Sequence, residues 1–310
     1  MAYSDEKDGK KPFAGNRAGA NPAKRDFQGR KPYSGTGRKK PGFAGAERDR
    51  TATAKQPPAD AECVGNGAVI GRNAVRELLH SGRPVDKLLV QSGEREGALV
   101  PIVGEAIARG IPVVETERRK LDAISGFAPH QGVIAMAAEK EYCTVEDILA
   151  IARERGEKPL IVIADGICDP YNLGAIIRCA EGCGAHGLIL PKRHAAGLSP
   201  LVTKASAGAI EHLAIAKVSN ISSAIEELKK EGLWIFSAEA GGDSFYDTDM
   251  SVPAAIVLGS EGDGVSELVR RRSDYVVSIP MYGKVNSFNV STAAAVLLCE
   301  AAHQQRTPKK

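Results

Sequence analysis

Near its carboxyl end the chain twice runs from a short apolar stretch through a polar or glycine-rich loop into a helical pattern, and this repetition constrains the fold more than any other feature. The first run, Ala254 to Leu258, stops at Gly259-Ser260-Glu261-Gly262-Asp263-Gly264 before a helix that includes Val269. The second, Val276 to Ile279, stops at Pro280, and a polar loop leads to Asn289. Beyond it Val290, Ala293, Ala294, Leu297 and Leu298 recur at helical spacing. Continuous apolar runs of this length alternating with helices read as buried strands of an α/β sheet. In such sheets the loops at the carboxyl ends of strands form the ligand crevice. Three glycines in six residues let bare backbone N–H groups approach a ligand there.

The other end of the chain excludes a fold of its own. Residues 1–60 contain no Val, Ile or Leu, with 8 Gly and 6 Pro. Such a segment cannot bury enough apolar surface to offset the entropy of ordering it, so residues 1–62 are expected to be a disordered tail. Its first sixty residues carry 14 Lys and Arg against 7 Asp and Glu, whereas the remainder carries 27 against 31. A modest net charge of +3 therefore conceals a basic arm. A unit recurs in it, Lys11-Pro12-Phe13-Ala14-Gly15, Lys31-Pro32-Tyr33-Ser34-Gly35 and Lys40-Pro41-Gly42-Phe43-Ala44-Gly45. Basic residues interleaved with single aromatics suit phosphate neutralisation and base stacking; the plainer reading is a solubilising tail. Acidic residues and prolines argue against a mitochondrial presequence.

Six cysteines without metal-ligand spacing or a signal peptide point to free thiols, no metal site and a cytoplasmic location. No apolar run approaches the ~18 residues of a membrane span.

From about residue 63 to 140 four short strands alternate with helices: Val69-Ile70, Lys87 to Val90, Pro112 to Val114 and Val133 to Ala137, with Asn73 as the N-cap of the first helix and Gly82 as its stop. Thr144-Val145-Glu146-Asp147 opens a capped helix to about Arg155, the expected connection over residues 141–158. A third region, residues 159–310, starts with the strand Leu160 to Ala164. A loop from Asp165 to Gly174 then leads to a helix over Ala175 to Glu181. Strands near Leu188 to Leu190, Leu213 to Val218 and Leu233 to Ala238 follow, with helices near Thr203 to Gly208 and Ser222 to Lys230 and Trp234 read as a core residue. Gly182-Cys183-Gly184-Ala185-His186-Gly187 satisfies the dinucleotide fingerprint, but it closes a helix and opens a strand, the reverse of what that fingerprint requires.

Three of these segments carry a family resemblance. Asp169-Pro170-Tyr171-Asn172-Leu173-Gly174 with Arg178, then Gly259 to Gly264, then Ile279-Pro280-Met281 through Ser287-Phe288-Asn289-Val290-Ser291 to Ala293 resemble, in order, motifs 1, 2 and 3 of the SpoU (TrmH-type) branch of the SPOUT RNA methyltransferases. Phe288 stands where that pattern usually has Leu. Gly71-Arg72-Asn73-Ala74-Val75-Arg76-Glu77-Leu78-Leu79 and His130-Gln131-Gly132-Val133 resemble the amino-terminal substrate-binding domain of the same family, which is similar in fold to ribosomal protein L30e. The layout looks most like the RlmB group, which methylates a guanosine 2′-hydroxyl in 23S ribosomal RNA.

The resemblance implies an α/β chain with a small L30e-like domain that grips RNA and a trefoil-knotted SPOUT catalytic domain. It implies S-adenosyl-L-methionine as cofactor, RNA as partner and a homodimer. Leu258, Gly259, Ile279, Met281, Phe288, Asn289 and Ala293 would hold the cofactor. Arg178, Asn172, Glu261, Asn289 and Ser287 would serve the chemistry. The family's arginine has been cast as a general base, but a guanidinium is effectively always protonated, so phosphate and oxyanion positioning is the better role for Arg178. The plainer alternatives are helix caps for Asn172 and Asn289, a loop-amide acceptor for Glu261, and ordinary surface residues for Arg72 and His130. Different overall readings are a transfer-RNA ribose methyltransferase, a resistance methyltransferase acting on another ribosomal RNA site, or a non-catalytic RNA-binding or ribosome-assembly factor with this fold.

Overall fold

A computed structural model describes residues 67–93 and 97–307; the basic arm with its recurring unit, and Cys63, lie outside the described residues. The first part is a four-stranded sheet with helices on it. Its elements are β1 (Ala68–Ile70), α1 (Arg72–Ser81), β2 (Val85–Gln91), α2 (Leu99–Ala108), β3 (Val113–Thr116), α3 (Arg118–Ile124) and β4 (Val133–Ala137), and the strand order is β1-β4-β2-β3. β4 runs antiparallel to both neighbours, and β2 pairs parallel with β3. Leu88 and Val90 pack with Val75, Leu78 and Ile102 on one face, while Leu89 joins Ile70, Leu121 and Ile134 on the other.

Asn73 is not the N-cap of α1. The helix begins at Arg72 behind Gly71, and the Arg72 amide donates to Gln131 Oε1 at 2.9 Å. A side chain 59 residues away thus occupies the cap position, a long-range bond that local spacing cannot announce. His130 is no surface residue either. It is buried, its Nδ1 accepts from the Gly132 amide at 3.0 Å and its Nε2 lies 3.1 Å from Asp122 Oδ1. Gln131 thus ties the turn before β4 to the start of α1, and His130 ties it to α3.

The second part is a six-stranded, wholly parallel sheet. It is built from α4 (Val145–Arg155), β5 (Leu160–Ala164), α5 (Pro170–Gly182), β6 (Gly187–Pro191), α6 (Pro200–Ala205), β7 (Ala214–Val218), α7 (Ile221–Lys230), β8 (Trp234–Ser244), β9 (Ala254–Leu258), α8 (Glu267–Arg272), β10 (Tyr275–Ser278) and α9 (Val290–Arg306). The strand order is β10-β8-β9-β5-β6-β7. Every residue of β5 and β9 is buried. Leu160, Val162 and Ala164 face α5 and α9, and Ile161 and Ile163 face α4, α7 and α8. Apolar runs without alternation are what two covered faces demand.

Several local expectations shift. The helix after β5 starts five residues early, at Pro170, because Asp169 caps it by accepting from the amides of Tyr171 (3.3 Å) and Asn172 (3.1 Å). Gly174 therefore lies within α5, where a Cβ would stand 2.4 Å from that of Ala205, so α5 and α6 cross at closest approach there. Helix α4 has its capping box, with Thr144 Oγ1 accepting from the Asp147 amide at 3.1 Å, but it packs Val145, Ile148 and Leu149 onto the large sheet. β8 runs to Ser244, past the expected end at Ala238, by pairing again with β10 after a register shift. Its Glu239 to Asp243 stretch has no apolar alternation to reveal this. Trp234 is 45 % exposed, its ring 5.8 Å from that of Tyr275, at the border of the sheet. Gly182 and Gly184 do close α5 ahead of β6. The described cysteines are free thiols, and burial pushes the Cys183 thiol up to about 12.

His186 pins the start of β5. Its Nδ1 accepts from the Leu160 amide at 3.0 Å and its Nε2 lies 3.0 Å from Glu157 Oε2. Burial pulls its pKa below the usual 6.5, against the opposing pull of Glu157. The unfolded chain therefore binds more protons below pH 6.5. The contribution of neutral His186 is complete above that pH and is lost as pH falls through the folded value. Denaturant unfolding at pH 7.5 and 5.5 should show wild type losing about 1 kcal/mol more than His186→Asn on acidification. Equal losses in both proteins would remove His186 from the account.

Candidate active site

Three chain segments converge at the carboxyl ends of β5, β9 and β10. Adjacent β5 and β9 are braced past their last residues, where the Asp165 amide donates to Leu258 O and the Ser266 amide to Asp165 Oδ2, each at 2.8 Å. The loop after β9 closes on itself. Ser260 and Gly264 exchange backbone hydrogen bonds at 3.0 and 3.1 Å, and a Cβ on Gly259 would lie 2.1 Å from the carbonyl carbon of Gly264. Glycine at 259 thus serves the loop's own closure, and two of its amides are spent within it.

This folding places Glu261 beside Asn289, the N-cap of α9. Asn289 Oδ1 accepts from the Ser291 amide (2.9 Å) and hydroxyl (2.6 Å), which leaves Nδ2 facing the opposite way. Nδ2 donates to Asn172 Oδ1 at 3.0 Å and to Glu261 Oε1 at 2.6 Å. One amide therefore ends a helix and joins two residues that lie 117 and 28 positions away. Cap and site reading, opposed in the sequence, coincide in this side chain. Asn172 is 9 % exposed, fixed on the first turn of α5, and its Nδ2 makes no hydrogen bond to a described residue. Among the described residues the cluster thus presents an unpaired amide donor and, at Glu261 Oε2, an unpaired carboxylate oxygen.

These groups line a cleft of ≈ 520 Å³ with Asp169, Asp263, His194 and Val290. Three carboxylates around one cleft favour a cationic group within it. His194 was not foreseen. Its signal is the basic run Lys192-Arg193-His194 directly after the strand at Leu188 to Leu190.

The other candidate residues divide. Leu258 is buried at the end of β9, and Ile279, after β10, packs against the same core. Met281 and Ala293 are half-buried. Phe288 is 44 % exposed, and Ser287 is exposed and makes no hydrogen bond to a described residue. β8 lies between β9 and β10, and its Ala238 pairs with Leu258, so β8 runs on past the end of β9 there.

Arg178 is not in the cleft of Asn172. Six residues further along α5, it stands about 9 Å up the axis and on another side of the helix. It lines a second cleft, of ≈ 460 Å³, with Arg76, Glu77, Glu181 and His212. Its guanidinium is exposed and makes no hydrogen bond or ion pair with a described residue. This second cleft lies where the small sheet's α1 meets the large one. His212 Nε2 is 3.1 Å from Glu77 Oε2, and Arg83 reaches buried Glu211 at 3.3 Å. Among the described residues no cluster of three or more His, Cys, Asp or Glu could hold a metal ion, and no helix is long and apolar enough to cross a membrane.

Comparison with known proteins agrees with this geometry. Residues 159–299 match the SpoU rRNA methylase family, and residues 68–143 match the RNA 2′-O ribose methyltransferase substrate-binding domain. A Bacillus subtilis protein assigned to the TrmH family of tRNA/rRNA methyltransferases, YacO, is 41 % identical over 241 residues, 77 % of this chain and 96 % of that protein. Among solved structures, the SpoU methyltransferase AviRb from Streptomyces viridochromogenes, in complex with AdoMet, superposes with a TM-score of 0.65 at 27 % identity, covering 76 % of this chain and 89 % of that one. An RNA 2′-O ribose methyltransferase gives a TM-score of 0.63 at 26 % identity over 76 % of this chain and 88 % of its own. With both parts matched over their full sheets and the three motif segments meeting at one set of strand ends, the chain belongs to the SpoU (TrmH) family of RNA methyltransferases.

Proposed function

We propose that this protein methylates a ribose 2′-hydroxyl of RNA at the expense of S-adenosylmethionine, with a guanosine of 23S ribosomal RNA as the favoured target. The observation that carries the reading is the Asn289 amide joined at once to Asn172 and Glu261. A cap needs only its Oδ1, so two further bonds from Nδ2 indicate a second duty.

The residues present fit the cofactor. Half-buried Ile279 and Met281 with exposed Phe288 offer apolar surface to an adenine, and the carboxylates of Asp169, Glu261 and Asp263 favour a sulfonium. When bound, S-adenosylmethionine supplies an electrophilic methyl group on a cationic sulfur. Leu258, Gly259 and Ala293 complete this assignment at the end of β9 and the start of α9. Asn172 Nδ2 is placed to orient the ribose, Glu261 holds the amide that orients Asn172, and Ser287 is a further partner for the nucleotide. The 2′-oxygen gains a methyl and loses its proton to phosphate or water, since Arg178 stays charged. Arg178 serves by neutralising phosphate and developing oxyanion charge. A homodimer, and the family's trefoil knot around β9 and β10, are part of the proposal.

Labelled methyl transfer to unmodified ribosomal RNA and, in parallel, to unmodified transfer RNA, followed by mapping of the modified ribose, tests it. A 2′-O-methylguanosine in the large ribosomal RNA is expected. Label in transfer RNA alone would keep the chemistry and overturn the target, and cofactor binding without transfer to either would favour an assembly intermediate as the required substrate or a non-catalytic factor. The basic arm is proposed to bind the same RNA. Removing residues 1–60 should weaken RNA binding and flatten the dependence of log K on log salt, and an unchanged slope would deny the arm that role.

A further inference from the structure

The loop that follows β6 is fastened on both sides of a run of three basic residues. The Lys192 amide donates to Val218 O at 2.8 Å, extending the pairing of β6 with β7. The Ala196 amide donates to Ile167 O at 2.8 Å, on the segment that leads to Asn172, and the Leu198 amide donates to the Tyr142 hydroxyl at 3.3 Å. Between these anchors Lys192, Arg193 and His194 are exposed, and none of their side chains bonds to a described residue. The arginines of α8, by contrast, are neutralised locally. Arg270 and Arg271 bond Glu267, and Arg272 bonds Glu226.

The placement of the run matters as much as its charge. His194 lines the cleft of Asn172 and Glu261, so its neighbours stand at the mouth. Its φ of 57° is a left-handed conformation that is unfavourable for a non-glycine residue. Backbone strain of this kind persists where the surroundings hold it, and here the two anchors do so. Inside the mouth the lining is acidic, at Asp169, Glu261 and Asp263. A ribose can enter only with its flanking phosphates, and that acidic lining repels them. Uncompensated positive charge on a fixed rim offsets the repulsion.

We infer that Lys192 and Arg193 grip a backbone phosphate beside the target nucleotide, with His194 at the cleft edge, and so set how far the RNA reaches into the site. They are positioning residues, and the inference rests on RNA being the substrate. Lys192→Ala/Arg193→Ala should raise the KM for RNA about tenfold, leave kcat within about twofold, and lower the salt slope of RNA binding by about one for each phosphate that is no longer neutralised. The Kd for S-adenosylmethionine and the thermal midpoint should not move, and Arg193→Lys should recover much of the KM. An unchanged KM and salt slope, or a weakened cofactor affinity, would overturn the assignment. A wild-type protein that methylates no RNA would instead sink the proposed function. Wild-type transfer with an unaffected double variant sinks only the loop.

Discussion

Asn289→Asp should leave the protein folded and reduce methyl transfer by at least about 100-fold, a loss of the order seen when an oriented hydrogen-bonding group is removed from an active site. Aspartate is as good an N-cap as asparagine, so the bonds from the Ser291 amide and hydroxyl survive and α9 keeps its start. Nδ2 is removed, however. In its place a second carboxylate oxygen faces Glu261 Oε1, now 2.6 Å from the amide, and like charges so close cannot both remain ionised. Asn172 loses the donor that fixes its carbonyl, and with it the direction of the free Nδ2. Asn289→Ala removes the cap as well and should cost about 1 kcal/mol of stability in addition. Comparing transfer rate with thermal midpoint for the two variants separates the duties. A fully active Asp variant would reduce Asn289 to a helix cap.

On the proposed function, Arg178→Ala should abolish transfer while leaving S-adenosylmethionine affinity within about threefold, because the role proposed for its charge is on the RNA and the forming alkoxide and not on the cofactor. A large loss of cofactor binding would move Arg178 out of that role. Arg178 stands in a different cleft from Asn172, and a homodimer offers a way for both to act on one nucleotide, with each chain lending its arginine to the other. Co-expressed Arg178→Ala and Asn289→Asp chains then have one intact site in each mixed dimer and should regain about a quarter of the wild-type rate. No recovery in mixed dimers would confine Arg178 to its own chain's site.

What could be read from the sequence was whatever local pattern determines. The buried strands at 160–164 and 254–258 announce themselves by continuous apolar runs that both faces of the sheet cover. The three motif segments marked Asn172, Glu261 and Asn289 as a group, and their hydrogen bonds join them. What was hidden depends on distance or on polar strands. Gln131 caps α1 from 59 residues away, so Asn73 was the only cap in view. Glu239 to Asp243 belongs to β8 through a shifted register with β10, and it lacks the apolar alternation that marks a strand. The separation of Arg178 from Asn172 follows from α5 starting at Pro170, which puts both on one helix at a spacing that turns them apart.

On the proposed function, the cluster around Asn289 also dates the moment at which the protein becomes competent. Asn172 is made early, Glu261 later, and the amide that unites them sits at the head of α9, whose Leu297, Leu298 and Ala301 must settle against α5 and β9 before it is held in place. During vectorial synthesis the small sheet is therefore made while the chain still lacks the cluster to which the proposed function assigns the chemistry. A nascent or truncated chain ending before α9 would compete for substrate without altering it. On the proposed function, synthesis of α9 is thus the step that arms the protein.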